Sequence, residues 1–142
     1  MKKTIFLIGF FLLNAGMVIA QLKDENAIRL AMNEQLAAWN GGDIGRFMGT
    51  YWNDDSLMFI GKSGVNFGWQ KTLDNYKKGY PDTAAMGKLD FTILQVKRLS
   101  LAYYFVVGKW HLTRSIGDLG GAFTLLFRKI SGRWQIVADH SS

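Results

Sequence analysis

His140 is the residue best placed by the sequence to transfer protons. If the last strand is regular, Trp134, Ile136 and His140 share one face, because side chains alternate along a strand. Trp134 and Ile136 mark the core face, so we expect His140 to point towards the interior of the protein. A histidine titrates near neutral pH and can act there as a general acid or base. The alternative interpretation is a histidine that forms only structural hydrogen bonds.

The neighbours of His140 are polar and have weaker claims to a role in catalysis. Asp139 falls on the opposite face of a regular strand, where it would lie at the surface or at a subunit contact. A β-bulge would reverse its direction. Its alternative role is to orient His140. Ser141 and Ser142 offer hydroxyl groups that can hydrogen-bond a ligand.

A metal site is not expected. The chain has no cysteine and two histidines, and His111 sides with Lys109 on the outer face of its predicted strand, opposite to the face expected for His140. Metal ions in proteins need several clustered ligands. We therefore predict no metal and no other cofactor.

Aromatic side chains make up 14% of the chain and are the main candidates for ligand binding. Tyrosine and tryptophan combine an apolar ring with a polar tip that can fix the orientation of a bound molecule. The alternative is that aromatic residues at helical or alternating spacing only fill the core. The residues predicted to line an apolar cavity, together with His140, are Phe59, Trp69, Tyr76, Trp110 and Phe123.

Three helices are predicted in the N-terminal half of the domain. Apolar residues at helical spacing predict a first helix that ends near residue 39, and the Asn-Gly-Gly stretch that follows can adopt the left-handed backbone that stops a helix. Asp43 can cap a second helix, which we expect to run to Tyr51. A third helix begins near Trp69 and ends at Pro81, which cannot continue it.

The rest of the chain is predicted to form strands. A short hairpin covers residues 57–67, and four longer strands follow at about residues 89–99, 103–114, 121–130 and 134–140. Helices followed by a meander of strands favour an α+β fold over a parallel sheet.

The first 20 residues are predicted to be a signal peptide. Lys2 and Lys3 precede an apolar segment over residues 5–19, and residues 18–20 have the small-residue pattern of a cleavage site. The apolar segment is too short for a stop-transfer helix, so a retained membrane anchor is the weaker alternative. We therefore expect a secreted or periplasmic protein with no stable membrane span after cleavage.

Cleavage would leave residues 21–142 as a single domain, long enough to bury a core. Loss of Lys2 and Lys3 takes the 17 Lys and Arg residues to 15, against 11 Asp and Glu, so the mature net charge is +4. The basic residues are scattered rather than massed, and nucleic acid is therefore not an expected partner. The absence of cysteine excludes disulfides and thiol nucleophiles.

Several segments resemble the nuclear transport factor 2-like superfamily, in particular its SnoaL-like domains of unknown function. They are the helix–turn–helix block at residues 38–51, the first hairpin at 59–64, the central strand at 108–112, and the final hairpin at 123–128 and 132–142. The resemblance covers essentially all of the mature chain. It implies a cone-shaped, curved antiparallel sheet that packs on three N-terminal-half helices and leaves one open mouth. Members include ketosteroid isomerase, polyketide cyclases, scytalone dehydratase and the non-catalytic association module of calmodulin-dependent kinase.

One position separates this chain from the ketosteroid isomerase pattern. The general base of that enzyme is an aspartate a few residues after an Asp-Asp pair at the start of the first strand. The corresponding pair here looks like Asp54 and Asp55, and the position of the base falls on Ile60. An isoleucine cannot accept a proton, so the resemblance does not carry that chemistry to this chain.

The sequence supports two functions from different classes. We expect an exported SnoaL-like domain that binds a small, largely apolar molecule in its cone. If it is an enzyme, it would be a cofactor-independent isomerase, dehydratase or hydrolase with His140 as the proton carrier. The alternative is a non-catalytic homodimer that presents its sheet to a partner, because Tyr103, Phe105 and Val107 alternate with further apolar residues. A strand that is apolar on both faces needs cover on both sides.

Overall fold

The computed structural model describes the backbone of residues 2–142 and the side chains of residues 16–142. Helices occupy the first half of this part of the chain, interrupted by a hairpin, and the second half is a meander of strands. The helices are α1 (Lys2–Asn40), α2 (Ile44–Phe47), α3 (Trp69–Gly79) and α4 (Thr83–Met86), with a 3₁₀ turn at Met48–Thr50. The strands are β1 (Met58–Gly61), β2 (Gly64–Phe67), β3 (Lys88–Arg98), β4 (Tyr103–Thr113), β5 (Leu119–Ile130) and β6 (Arg133–Ser141).

The predicted signal peptide lies for the most part outside the residues whose side chains are described. Its backbone continues α1 without a break from Lys2 onwards. Met17, Val18 and Ile19 are each more than half exposed, and the buried face of α1 begins at Ile28. Within the described part of the chain, no helix combines the length and the apolar character needed to cross a membrane.

The end of α1 is held by the sheet. The Asn40 side chain accepts a hydrogen bond from the Leu89 N–H at 2.7 Å and donates one to the Leu89 carbonyl at 3.0 Å, as a neighbouring strand would. Gly42 then adopts a φ of 77°, which favours glycine, and Asp43 caps α2 by accepting from the Arg46 N–H at 2.8 Å. The chain therefore turns back so that α2 packs against α1.

The six strands form one sheet in the order β2-β1-β6-β5-β4-β3. The β1–β2 hairpin and the β3–β6 meander pair antiparallel, whereas β1 runs parallel to β6 with Phe59 opposite Asp139. The parallel pairing joins the first hairpin to the last strand. It therefore joins the N-terminal and C-terminal halves of the domain in one sheet.

A one-residue bulge interrupts β6. The register between β5 and β6 shifts between Leu126 and Phe127, and Val137 is the extra residue on β6. An extra residue in one strand reverses the alternation of side chains beyond it. Asp139 therefore turns to the same side of the sheet as Ile136, which is fully buried in the core.

Tyr104 is buried on the inner face of the sheet near the start of β4. There Tyr104 packs edge-to-face on Trp134 with ring centroids 5.1 Å apart, and its hydroxyl donates to the Gln21 carbonyl at 3.3 Å. Further along β4, Gly108 has no side chain, and the Phe123 ring occupies the space. A Cβ at Gly108 would collide with that ring, so glycine is needed for this packing.

The predicted α+β fold is confirmed, and the four long strands begin and end within two residues of the predicted bounds. Three features differ from the expectations. The sheet is mixed rather than wholly antiparallel, because β1 pairs parallel with β6. The second helix finishes as a 3₁₀ turn rather than as α-helix to Tyr51, and the short helix α4 after Pro81 was not predicted.

Candidate functional site

A cavity of about 730 Å³ lies between the helices and the inner face of the sheet. Its lining is mostly apolar and aromatic with a few polar groups, which is the usual composition of a small-molecule site. Helices α1 and α3 form one wall, strands β3 to β6 form the other, and the β1–β2 turn contributes to the rim. The lining residues that are exposed mark the mouth: Lys62, Ser63, Asn75, Leu119, Gly120 and Ser142.

Among the residues whose side chains are described, Asp139 is the one carboxylate that lines the cavity, and it is only 4% exposed. The Tyr51 hydroxyl donates to its Oδ2 at 2.7 Å, and the Ser141 hydroxyl donates to its Oδ1 at 2.7 Å. Each carboxylate oxygen can accept a further hydrogen bond. The two short hydrogen bonds therefore fix the orientation of the carboxylate and leave it capacity for a bound molecule.

The pKa of Asp139 is raised by its surroundings. Burial raises it from the ordinary value of 3.8 to about 6, while the hydrogen bonds from Ser141 and Tyr51 and the charge of the nearby His140 oppose the rise. A carboxyl group with a pKa close to neutral is suited to accept and return protons. Asp139 is therefore the group of this cavity with the properties of a general acid–base.

Two tyrosines stand beside Asp139. Burial raises the pKa of Tyr51 well above its usual value, and the negative charge of Asp139 adds to the effect. Burial and Asp139 likewise raise the pKa of Tyr76, which neighbours Tyr51. Both phenols therefore stay protonated at physiological pH, and Tyr51 remains a permanent donor to the carboxylate.

The helical wall of the cavity is an aromatic cluster centred on Trp39. Its ring meets those of Tyr80, Phe47 and Tyr76 edge-to-face at centroid distances of 4.8, 5.1 and 5.9 Å. Its indole N–H donates to the Met86 carbonyl at 3.0 Å. This arrangement fixes Tyr76 in the wall by packing, since aromatic pairs favour these edge-to-face geometries.

His140 does not line the cavity. It is exposed on the outer face of β6, between Thr124 of β5 and Ile60 of β1. The prediction that His140 points towards the interior is wrong, because it assumed a regular strand and the bulge at Val137 reverses the alternation. The inward position belongs to Asp139.

Most of the aromatic residues predicted to line a cavity do so. The cavity residues among them are Phe59, Tyr76, Trp110 and Phe123. Trp69 is absent from the lining, because its indole N–H donates to the Met48 carbonyl at 2.9 Å and ties α3 to the 3₁₀ turn. The Trp69 side chain therefore has a structural role in linking two elements, and the prediction that it lines the cavity is wrong.

Asp139, Tyr51 and Gln35 are polar lining residues that were not among the predicted site residues. Asp139 was expected on the outer face, and Tyr51 was expected only as the end of the second helix. Gln35 is 2% exposed and lies in α1 between Met32 and Trp39, which both face the cavity. A polar residue within the apolar stripe of a helix is the sequence pattern that could have identified Gln35.

The side chains described form no cluster of three or more His, Asp and Glu residues that could hold a metal ion. His111 is exposed on the outer side of the sheet, and its Nε2 lies 3.4 Å from the Asp118 carboxylate.

The comparisons with known proteins agree on the fold. No protein-family model and no curated protein matches the chain. The crystal structure of a nuclear transport factor 2-like protein of unknown function from Shewanella oneidensis MR-1 matches with a TM-score of 0.79 and 44% identity, covering 82% of this chain and 97% of that one. A ketosteroid isomerase-like protein from Erwinia carotovora atroseptica SCRI1043 matches with a TM-score of 0.64 and 22% identity, over 82% and 93% of the two chains. LinA matches with a TM-score of 0.72 and 17% identity, over 87% and 88%.

The fold and the cavity together define a domain in which N-terminal helices and a mixed six-stranded sheet enclose a cavity large enough for one small molecule. The chain belongs to the nuclear transport factor 2-like superfamily, as the 44% identity to a member over most of both chains shows. Within that superfamily the matched proteins include ketosteroid isomerase-like ones.

Proposed function

We propose that this protein binds a small, largely apolar molecule in its cavity and that Asp139 transfers protons to and from that molecule. The observation that carries the proposal is a buried carboxylate at the wall of an aromatic cavity, held by Tyr51 and Ser141. Burial of a carboxylate is unfavourable for folding, and groups with strongly raised pKa values concentrate at functional sites. A protein of the same fold is described as ketosteroid isomerase-like, which fits proton-transfer chemistry.

The proposed chemistry needs only this chain. As a carboxylate, Asp139 accepts a proton from a carbon of the bound molecule and becomes a neutral carboxyl group. Return of that proton to another carbon completes an isomerisation; its delivery to a departing hydroxyl completes a dehydration and releases water. Tyr51 keeps its own proton and stabilises the carboxylate by donating to Oδ2.

Native mass spectrometry of the gently purified protein, produced from its full-length sequence in an exporting bacterial host, tests this proposal. We expect a small molecule that remains bound under native conditions and is lost on denaturation, and its mass and fragments name the substrate class. A protein that stays free of any bound molecule when it is incubated with extracts of its host would contradict the proposal.

We also propose that the protein is exported and that residues 1–20 are removed. The observation in support is that the side chains of residues 16–20 are exposed and make no contribution to the core. The intact mass of the exported protein is expected to match a chain that begins at Gln21. Replacement of Ala20 with phenylalanine should block cleavage, because small residues are needed at this position. An unprocessed mass for the unaltered protein would contradict the proposal.

A second proposed function is homodimerisation through the outer face of the sheet. A row of apolar side chains crosses the sheet, because each residue of the row is paired with the next on the neighbouring strand. From β4 to β1 the row is Phe105, Leu126, Ala138 and Met58. Each of these side chains is only half-buried. A continuous apolar patch of this kind commonly marks a protein interface.

Light scattering at micromolar concentration tests the dimer. We expect twice the mass of one chain, and we expect Leu126→Lys to give a monomer, because it places a charge at the centre of the apolar row. Ser115→Lys adds the same charge in the exposed β4–β5 loop and should leave the mass unchanged. A monomeric unaltered protein would exclude this interface.

A further inference from the structure

Two hydrogen-bond donors of the cavity have no partner. Among the residues whose side chains are described, the buried side-chain nitrogen or oxygen atoms that lack a hydrogen bond are Gln35 Nε2 and Trp110 Nε1. Both residues line the cavity. Gln35 belongs to the helical wall, and Trp110 belongs to the sheet wall, where it lies between Phe91 of β3 and Gly121 of β5.

The lack of partners distinguishes these donors from comparable groups in the same domain. The indole N–H groups of Trp39, Trp69 and Trp134 donate to Met86, Met48 and Asp24 respectively. Buried polar groups in folded proteins are almost always paired, and a buried donor without a partner costs about 1–3 kcal/mol. Neither nitrogen atom is open to the cavity, but both residues lie in its wall. Rotation of the Gln35 amide or of the Trp110 ring would therefore bring the donor to an acceptor atom that arrives with a ligand.

The charges around the cavity indicate what kind of acceptor this is. Among the lining residues Asp139 and Lys62 are the ionisable groups that can be charged at neutral pH, and Lys62 lies at the exposed β1–β2 turn. An anionic ligand group deep in the cavity would be repelled by the Asp139 carboxylate and would find only neutral donors on the walls. A neutral oxygen satisfies the donors without adding a second buried negative charge.

We propose that the molecule bound in this cavity carries a neutral carbonyl-type oxygen and that the Gln35 amide is the donor that binds it, with the Trp110 indole as a second donor. This inference rests on the proposed function, since it names the class of molecule that the same cavity takes. Its consequence is that the cavity has two polar regions, the Asp139 group for proton transfer and the Gln35 group for binding. An apolar molecule with one carbonyl is thereby oriented against Asp139.

A matched pair of probe molecules tests the role of Gln35. The probes are 2-acetylnaphthalene, which carries a carbonyl, and 2-isopropenylnaphthalene, which has the same shape without the oxygen. Their dissociation constants are measured by equilibrium dialysis against the full-length-derived protein. From the unaltered protein to Gln35→Leu, we expect the preference for the ketone over the hydrocarbon to fall about tenfold, as for the loss of one hydrogen bond. Comparing the two probes cancels the cost of removing the carbonyl from water.

Controls separate ligand binding from a structural role of Gln35. Gln95 is exposed on the outer face of β3, so Gln95→Leu should leave the preference for the ketone over the hydrocarbon unchanged. Gln35→Leu should not lower the stability to urea, because it removes an unpaired donor and places an apolar side chain among apolar neighbours. Gln35→Met keeps an unbranched side chain but removes the amide, so it provides a second test through the ratio of the dissociation constants of the two probes.

The outcomes are distinct. Binding of both probes with an unchanged preference in both Gln35 variants would overturn the inference and leave the proposed function standing. Tighter binding of 2-naphthoate than of the ketone, lost in Lys62→Met, would replace the neutral oxygen with an anionic group and also overturn the inference. Binding of neither probe would overturn the proposed function, and with it the inference.

Discussion

Asp139→Asn is expected to raise the free energy of unfolding at pH 7 by about 3 kcal/mol and to slow the proposed proton transfer about a hundredfold or more. The pKa of Asp139 lies at about 6 in the folded chain, against an ordinary value of 3.8, because burial disfavours the charged form. A tenfold change in proton affinity corresponds to about 1.4 kcal/mol, which gives the expected size. Asparagine is similar in shape and can still accept from Tyr51 while its amide donates to the Ser141 hydroxyl.

The direction of the pH dependence follows from the same comparison. Between pH 3.8 and about 6 the folded protein holds a proton on Asp139 that the unfolded chain has already released. Raising the pH through this range therefore favours the unfolded chain. The destabilisation is absent below the unfolded pKa and is complete once the pH exceeds the folded pKa. The unaltered protein should thus lose stability relative to Asp139→Asn as the pH rises from 4 to 7.

Urea unfolding of both proteins between pH 4 and pH 8 checks this prediction, with the difference between the two curves isolating Asp139. Asp90→Asn, a substitution on the exposed outer side of β3, should leave the pH dependence unchanged. Turnover of a substrate identified from the cavity should fall about a hundredfold or more in Asp139→Asn, as for the loss of a general acid–base. If Asp139→Asn were less stable than the unaltered protein at pH 7, the conclusion that the buried Asp139 carboxylate destabilises the fold would be contradicted.

The secondary structure could be predicted from the sequence because local patterns dominate it. Asp43 caps α2 as predicted from its position after two glycines, and the alternation of apolar residues placed β4 and β5 almost to the residue. The parallel pairing of β1 with β6 joins residues about 80 positions apart, so no local pattern reports it. Helix α4 has only four residues, too few for a periodic pattern.

The inward position of Asp139 could not be predicted from the sequence because it depends on one extra residue in β6. Alternation along β6 predicts His140 inside and Asp139 outside, and the bulge at Val137 exchanges them. A valine followed by an alanine carries no local mark of a bulge, since neither residue favours one. The shift arises from the pairing of β6 with β5 on one side and with β1 on the other, which is tertiary information.

The cavity lining includes four of the aromatic residues that the sequence pointed to, whereas its polar residues Asp139 and Gln35 were not named, and the difference has a physical reason. Phe59, Tyr76 and Phe123 reach the cavity through their size, so an error of one position in an element still leaves a large ring near the interior. A carboxylate functions only when its oxygen atoms point at the site. The direction of the Asp139 side chain therefore depends on the register of a strand, and that of Gln35 depends on the rotation of a helix. The sequence reports both of these less well than it reports the positions of large apolar residues.

The aromatic wall shows that the cavity and the stability of the fold depend on the same side chains. Trp39 is buried, packs on Phe47, Tyr76 and Tyr80, and donates to the Met86 carbonyl. Its ring therefore connects α1, α2 and α3, and its N–H reaches α4. A cavity in a small domain leaves space unfilled, and the elements around it must be held by contacts at its edge.

Trp39→Ala is accordingly expected to lower the free energy of unfolding by about 4 kcal/mol, since it removes a large buried side chain whose neighbours face an existing cavity and cannot collapse fully onto the gap. Trp39→Phe keeps an aromatic ring and leaves only the Met86 carbonyl without its donor, so its loss should be about 1–2 kcal/mol. Urea unfolding at pH 7 measures both. Equal losses for the two variants would mean that the hydrogen bond to α4, and not the packing of the rings, holds this wall. A larger loss of unfolding free energy for Trp39→Ala would mean that the rings lining the cavity also hold the helices together. Enlarging the cavity at Trp39 would then make the protein less stable.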